Sequence, residues 1–527
     1  MTSLKFVNML QLESYQAPMY LKWLKRNTFK DWLPLVLAFL VCFFAESALP
    51  FAIDVSNSSN NIVSYLQFGI MVIYIVLMGN IIYIWRKQPL KKPLVYTDRI
   101  KRLLAAIILL ITFIVVAPLE VNNSIMIYIL ARTKTYLPAL CMPFVILLAY
   151  FITYPIEEGI KRGFLMQAKK KLKARDDLIK IAITGSYGKT STKYALGQIL
   201  SAKFKTCITP QSYNTPMGVT RVIRETLDEK DEVFVAEMGA RYVGDIDELC
   251  DLVAPKIGIL TSVGKQHLET FGSEENIAST KYELIEALPA DGAAFFNADN
   301  DICLELSKHK SNVKEKYLYG IDTKAEVFMR AIDIKASAQG STFTLIADDG
   351  NSVFCCTKLL GRHNILNITG CAAVAYYLGL KMEQIASAIA NLESVEHRLQ
   401  LINSGPVTVI DDGFNSNPQG AKAALEVLRS FDGRKIIVTP GMVELGKEEF
   451  EQNKDFGREI ACSVDYAILV GKKRSIPIAQ GMAEYDFPKD NIFVVASLDE
   501  ATTKLSTLTV PGDVVLIEND LPDNYNE

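Results

Sequence analysis

A membrane-embedded all-α domain followed by two α/β domains is the fold class this sequence predicts. Three observations predict it: apolar residues crowd before residue 155, short strands alternate with amphipathic helices from Leu178, and that alternation restarts near residue 400. With 527 residues the chain is too long for one core, and roughly one domain per 150 residues suggests three or four units. The expected division is 1–155 for four transmembrane helices, 156–177 for a basic linker, 178–398 for a central P-loop-type domain, and 399–527 for a Rossmann-like domain.

Four apolar stretches, about 33–54, 62–85, 103–119 and 136–154, approach the roughly 20 residues that a spanning helix needs. A cleaved leader is a poor reading, because the N-terminus is long and mixed and three further runs follow. Basic residues set the expected orientation. Lys5, Lys22, Lys25, Arg26 and Lys30 precede the first run, and the loop Ser56 to Asn61 has none. Arg86, Lys87, Lys91, Lys92, Arg99, Lys101 and Arg102 follow the second run, only Arg132 and Lys134 the third, and a basic segment from Lys161 to Arg175 the fourth. The expectation is a multi-pass protein of the bacterial cytoplasmic membrane with the N-terminus and both α/β domains in the cytoplasm. The basic segment reads either as a solvated linker or as a helix lying on anionic headgroups, each cation contributing about 1 kcal/mol.

The net charge of −3 gives no reason to expect a nucleic-acid partner. Nine scattered cysteines without a CxxC read as reduced structural thiols, and Cys355 and Cys356 face opposite ways if their segment is a strand.

Strands are expected at Leu178–Thr184, Val233–Glu237 and Ile257–Thr261, helices at Lys189–Ser201 and Asn364–Leu378, and a β-rich antiparallel addition at 313–358. In the last domain, strands at Val407–Asp411, Lys435–Thr439, Ala467–Val470, Ile492–Val495 and Val514–Ile517 are separated by helices, which makes a small doubly wound sheet.

The chemistry starts between the first strand and its helix, at Ile183-Thr184-Gly185-Ser186-Tyr187-Gly188-Lys189-Thr190-Ser191-Thr192. Backbone N–H groups of such a turn point into a concavity, and the helix N-terminus adds partial positive charge. Lys189 is suited to the β- and γ-phosphates of ATP, and the Thr190 hydroxyl to Mg²⁺. The general P-loop pattern wants glycine at position 183, where isoleucine stands. The shorter form TG[ST]xGK[TS] resembles the Mur ligase family, which includes folylpolyglutamate synthetase. Seven further stretches match that family in order: Tyr213 to Val219, Ala236-Glu237-Met238-Gly239-Ala240, Gln266 to Ser273, Ile277 to Glu283, Gly361 to Asn367, Asp411 to Pro418, and Gly441 to Gly446. Their details are nearest the D-alanyl-D-alanine-adding branch.

The resemblance implies a ligase that moves the γ-phosphate of ATP onto a carboxylate, after which an amine attacks the acyl-phosphate. Gly185, Ser186, Tyr187, Gly188, Lys189, Thr190 and Ser191 would cradle the nucleotide phosphates. Thr190 and Glu237 would hold one Mg²⁺ through oxygen, as that hard cation prefers. His267 would hold a second Mg²⁺, with Lys281 supporting it once carbamylated by CO₂. Asn364 and Asn367 would face adenine, Arg398 the γ-phosphate, Asp412 the ribose, and Asn415 the nucleotide; Asn214 and Thr215 would touch substrate. Domain closure would complete the site.

The likeness stops at three places. No segment resembles the family's UDP-recognising N-terminal domain; the four apolar runs stand there instead. The family's aspartate before M-x-E-L-G is Gly441 here, and the expected Lys- or Gly-rich ending is Glu518-Asn519-Asp520-Leu521-Pro522-Asp523. The expected function is therefore ATP-dependent addition of an amino acid or dipeptide to a cell-envelope precursor, lipid-linked or handled at the membrane face beside other membrane-bound envelope biosynthesis proteins. The alternatives are a tethered enzyme for soluble UDP-muramoyl-peptide, an amino-acid polymerase, and an ATP-driven transporter or membrane sensor. Against the last, the apolar runs contain almost no charges that could line a substrate path.

Overall fold

The computed structural model describes residues 2–13, 15–25, 69, 72, 76, 94–117, 141–266, 268–414, 417–443 and 445–519. The first two expected spans lie almost wholly outside these residues. The chain divides into two compact units, one ending at Arg162 and one beginning at Gly163.

In the first unit α1 (Thr2–Leu12), α2 (17–25), α3 (Asp98–Val116) and the start of α4 (Met142–Lys173) share one apolar core. Leu10, Tyr20, Ile100, Leu103, Ile146 and Ala149 are buried in it. The N-terminal segment is therefore folded rather than a tail. Gln11 pairs with both backbone groups of Val95, at 2.9 and 3.0 Å, and the Arg99 guanidinium stacks on Tyr15 at 3.6 Å. Among the described residues one helix, α4, is long and apolar enough to cross a membrane. Helix α3 carries Asp98, Arg99, Lys101 and Arg102 in its first turns. Its apolar run from Leu103 to Val116 measures only about 21 Å at 1.5 Å per residue.

The second unit opens on a nine-stranded sheet ordered β2-β3-β1-β4-β5-β6-β7-β8-β9. The strands are β1 (Ile179–Thr184), β2 (Thr206–Ile208), β3 (Val233–Glu237), β4 (Ile257–Leu260), β5 (Ala293–Asn297), β6 (Glu315–Gly320), β7 (Met329–Ser337), β8 (Gly340–Ala347) and β9 (Ser352–Thr357). Pairing is parallel from β2 through β7, so β6 extends the parallel sheet and only β7-β8-β9 of the stretch 313–358 form the expected antiparallel addition. In β9 Cys355 is buried and Cys356 exposed, on opposite faces. The helices are α5 (Lys189–Leu200), α6 (Pro216–Glu225), α7 (Asp245–Val253), α8 (Leu268–Phe271), α9 (Glu274–Glu286), α10 (Asp301–Ser307), α11 (Arg362–Tyr377) and α12 (Met382–Ala390). Local chemistry starts several of them: Thr215 caps α6 with Pro216 at its first position, and Ser273 caps α9. Because β1 lies between β3 and β4, the chain leaves its carboxyl end in opposite directions, and this switch point is where an open α/β sheet forms its crevice.

The last sheet runs β10-β11-β15-β12-β13-β14. Its strands are β10 (Gln400–Ser404), β11 (Val407–Asp412), β12 (Lys435–Thr439), β13 (Tyr466–Val470), β14 (Ile492–Val495) and β15 (Val514–Glu518). Helices α13 (Pro418–Arg429), α14 (Glu449–Ala461), α15 (Ser475–Ala483) and α16 (Leu498–Leu508) connect them. Five strands match the expected ones. The sixth, β10, is an antiparallel edge strand whose short, mixed sequence carried no strand signal.

The basic segment is neither a solvated linker nor free to lie on headgroups along its whole length. Helix α4 continues through it to Lys173, with Ala168 and Leu172 buried in the core that also holds Phe234 and Leu252. Lys169 pairs with Asp251, Lys171 donates to the Leu227 carbonyl at 2.6 Å, and Arg175 reaches Asp177 and the Asp231 carbonyl. Truncating Leu172 to alanine should therefore cost about 2–5 kcal/mol in denaturant unfolding of the α/β part. Lys169→Ala should cost about 1 kcal/mol or less in the same measurement.

Candidate active site

The turn after β1 is held by the loop after β4. Ser186 N–H donates to the Ser262 carbonyl at 2.7 Å, Tyr187 N–H to Ser262 Oγ at 2.9 Å, and Thr261 Oγ1 donates to the Tyr187 carbonyl at 2.5 Å. These two N–H groups thus face the neighbouring loop rather than the concavity into which the turn's amides are expected to point. Gly185 has φ 151° and a Cβ there would lie 2.1 Å from Thr261 Oγ1; Gly188 has φ 79° and its Cβ would lie 2.6 Å from Asn367 Oδ1. Both positions require glycine. Gly188 begins α5 without any side-chain cap, so the helix presents its N-terminus toward the loop's mouth. Ser191 sits half-buried in the first turn of the same helix.

Lys189 folds over the loop, with Nζ 2.7 Å from the Gly185 carbonyl and 3.1 Å from that of Ser186. Burial pulls its pKa down to about 8, against the attraction of Glu237 and with the repulsion of Arg398. Glu237 ends β3 almost fully buried. Its Oε1 accepts from Thr190 Oγ1 at 3.1 Å and Asn214 Nδ2 at 3.0 Å, and its Oε2 from Lys193 Nζ at 3.0 Å. Burial pushes this carboxyl up, but Lys193 and Lys189 together hold it below the usual range, so it is ionised. Thr190 and Glu237 thus offer adjacent oxygens next to the phosphate loop, a donor set that suits Mg²⁺.

No sequence motif singles out Lys193. The available signal was its i+4 spacing from Lys189 on α5, which puts both ammonium groups on one helix face.

Other expected residues fall as follows. Thr215 spends its hydroxyl on capping α6, accepting from Gly218 N–H at 3.3 Å. Asn364 is buried, and its amide donates to the Leu360 carbonyl at 2.9 Å, which leaves one N–H and the oxygen for adenine. Asn367 packs on Gly188. His267 and Asn415 lie outside the described residues. Among the described residues no group of three or more His, Cys, Asp or Glu could hold a metal ion.

Lys281 is 2% exposed and, among the described residues, has no carboxylate partner; its Nζ lies 5.8 Å from the Phe271 ring centroid. Burial, with the repulsion of Lys189, lowers its pKa to about 7. Glu283, from the same motif, caps α7 instead, accepting from Gly244 and Asp247 N–H at 2.8 and 2.9 Å.

The last domain reaches this site from the hinge. His397 and Leu399 both have positive φ, 58° and 47°, on either side of Arg398. The Arg398 guanidinium stacks on Phe414 at 4.3 Å and interacts electrostatically with Asp412, Glu237 and Lys189. Asp412 accepts from Leu399 N–H at 3.2 Å, and burial raises its pKa to about 6 despite Arg398. Asp411 is tied to His397 at 2.7 Å, so this strand end is not simply solvated. Lys265, in the loop after β4, pairs with Glu448 of the last domain at 3.0 Å.

The two departures in the last domain touch one another. Gly441 has φ 77°, a Cβ there would lie 2.6 Å from Asn453 Oδ1, and its carbonyl accepts from Asn519 Nδ2 at 2.6 Å. An aspartate at 441 would have to displace Asn453.

Two family models match the chain: the Mur ligase middle domain over residues 183–375 and the Mur ligase glutamate ligase domain over 397–518. The UDP-N-acetylmuramoyl-tripeptide–D-alanyl-D-alanine ligase of Mycobacterium tuberculosis H37Rv is 33% identical over 363 residues, 64% of this chain and 69% of that protein. The chain belongs to the Mur ligase family. As a Mur ligase it is an ATP-dependent, ADP-forming amide ligase, and its middle and C-terminal domains have the family's fold. Among solved structures, MurF from Acinetobacter baumannii superposes with TM-score 0.62 at 26% identity, covering 69% of this chain and 78% of that one. MurF ligase from Thermotoga maritima in complex with ADP gives 0.60 at 25% identity, covering 68% and 80%.

The buried lysine also has a consequence for stability. Between pH 7 and 10.5 the unfolded chain holds the Lys281 proton that the folded chain has released, so this group's penalty is full below pH 7 and fades as pH rises. In carbon-dioxide-free buffer, Lys281→Met should melt above the wild type at pH 6, and the gap should shrink by pH 9 in calorimetry.

Proposed function

We propose that this Mur ligase joins the amine of an amino acid or dipeptide to the peptide carboxylate of a muramoyl-type cell-envelope precursor. A carboxylate oxygen attacks the γ-phosphorus and ADP leaves; the amine nitrogen then attacks the acyl carbon and inorganic phosphate leaves. The observation that carries this reading is the buried, ionised Glu237 beside Thr190, Lys189 and Arg398: one anion and three groups suited to a metal-bound polyphosphate. Mg²⁺ held by Thr190 and Glu237 would neutralise phosphate charge. Lys189 and Arg398 would meet the γ-phosphate, Asp412 the ribose, and Asn367 with Asn364 the base. The UDP-N-acetylmuramoyl-tripeptide–D-alanyl-D-alanine ligase of Mycobacterium tuberculosis supports a dipeptide as amine donor, while Gly441 and Asn519 alter the region that would receive it.

Lys281 is proposed to act as a carbamate, its neutral amine adding to CO₂ with loss of a proton, and to support a second Mg²⁺ with His267. Burial supports this, because Asp245 and Glu283 attract an ammonium there too weakly to offset its desolvation.

A membrane location for the reaction draws on a specific observation. On α3 Ile108, Leu109, Phe113 and Val116, and on α4 Phe144, Leu148, Phe151 and Ile152, are all at least half exposed. The partly shielded Arg102–Glu157 pair, at 2.6 Å, joins the charged ends of the two helices. Apolar surface this extensive suits hydrocarbon better than water. A precursor carried on a lipid, or a soluble nucleotide precursor used by a membrane-bound enzyme, would both fit it. Carbonate-washed membranes should retain the wild type and release a variant carrying Leu109→Lys, Phe113→Lys, Leu148→Lys and Phe151→Lys.

Purified enzyme should release ADP only when UDP-muramoyl-tripeptide or its lipid-linked form and D-alanyl-D-alanine are both present. ADP release without either would favour transport or sensing. Lys189→Ala should lower amide synthesis by about 10²-fold or more, read by mass spectrometry of the product.

A further inference from the structure

Lys193 is fully buried, with 0% of its side chain exposed against 1% for its partner Glu237. It has two acceptors: Glu237 Oε2 at 3.0 Å and the Gln211 carbonyl at 2.5 Å. Gln211 sits at φ 44°, in the left-handed region that glutamine rarely adopts, and its N–H donates to Tyr194 Oη at 2.8 Å. Two consecutive residues of α5 therefore fix the strained start of the segment that carries Asn214. Asn214 in turn is the second donor to Glu237 Oε1.

The arrangement divides the carboxylate. Oε2 is taken by Lys193 on the helix side, while Oε1 faces Thr190 and the phosphate loop. We infer that Lys193 is a positioning residue: it engages Oε2 so that Glu237 presents Oε1 alone to a cation, and it sets the 211–214 segment so that Asn214 fixes the same oxygen. This rests on the reading of Thr190 and Glu237 as a metal site. Metal-ligating carboxylates depend on such hydrogen-bond partners for their orientation, and losing one weakens metal binding about 10–100-fold. A lysine serving only the fold would affect melting and leave metal affinity in the folded protein alone.

The test is Mn²⁺ titration of the full-length chain with ADP present, read by electron paramagnetic resonance, for wild type, Lys193→Met and Lys193→Gln, with thermal melting of each. Lys193→Met should bind Mn²⁺ about tenfold or more weakly, and Lys193→Gln, which keeps a donor without the charge, should fall between. The Mg²⁺ concentration for half-maximal ligation should rise in parallel, while KM for the amine stays unchanged. Should Lys193→Met not fold, Lys193→Gln decides by the same criterion. Wild-type Mn²⁺ affinity in the folded variants overturns the inference while leaving the metal site standing. A wild type that binds no Mn²⁺ with ADP overturns the site reading and the inference together.

Discussion

The buried charge of Glu237 constrains everything around it. An ionised carboxylate out of water costs several kcal/mol unless its oxygens are matched, and removing one partner of such a pair costs about 3–5 kcal/mol. Here the matching groups come from Thr190 and Lys193 on α5 and Asn214 on the loop before α6. Strand, helix and loop can satisfy that carboxylate only in one mutual arrangement. The sheet order supplies it, because β3 lies directly beside β1, from whose end α5 departs.

Around Glu237 stand the cations Lys189, Lys193, Lys281 and Arg398, with Asp412 facing Arg398 and Asp245 and Glu283 acting on Lys281. Burial lowers the pKa of Lys189 to about 8 and of Lys281 to about 7, more than the neighbouring carboxylates raise them. A site in this state is electrostatically incomplete. Polyphosphate would complete it, and the hinge contributes Arg398 from a backbone held at positive φ on both sides. The same logic explains why Gly185 and Gly188 are irreplaceable: the loop is laced so tightly to Thr261, Ser262 and Asn367 that no Cβ fits.

Around this shared machinery the chain differs from its relatives at both ends. Helix α4 ends as part of the middle-domain core through Ala168 and Leu172, whereas its first half belongs to a helical unit with extensive exposed apolar surface. In the last domain Asn519 and Gly441 form one hydrogen-bonded unit. The two positions that depart from the family pattern thus lie together in space, though they are far apart in sequence.

The amino-acid order alone determined the alternation of strands and helices after Leu178, the turn at Gly185–Gly188, and the candidates Lys189, Thr190, Glu237, Lys281, Arg398 and Asp412. Those are local properties: periodicity, glycine placement and short motifs are written in neighbouring residues. Only the tertiary structure decided that Lys193 pairs with Glu237, that the amides of Ser186 and Tyr187 serve Ser262, that Asn364 spends its amide on Leu360, and that β10 adds an edge. It also decided that the basic segment packs on the ligase core rather than hanging free. The physical reason is the same throughout: each depends on which distant groups share a low-dielectric neighbourhood, and hydrogen-bond demand there is settled by contacts between segments, not by the residues of any one of them.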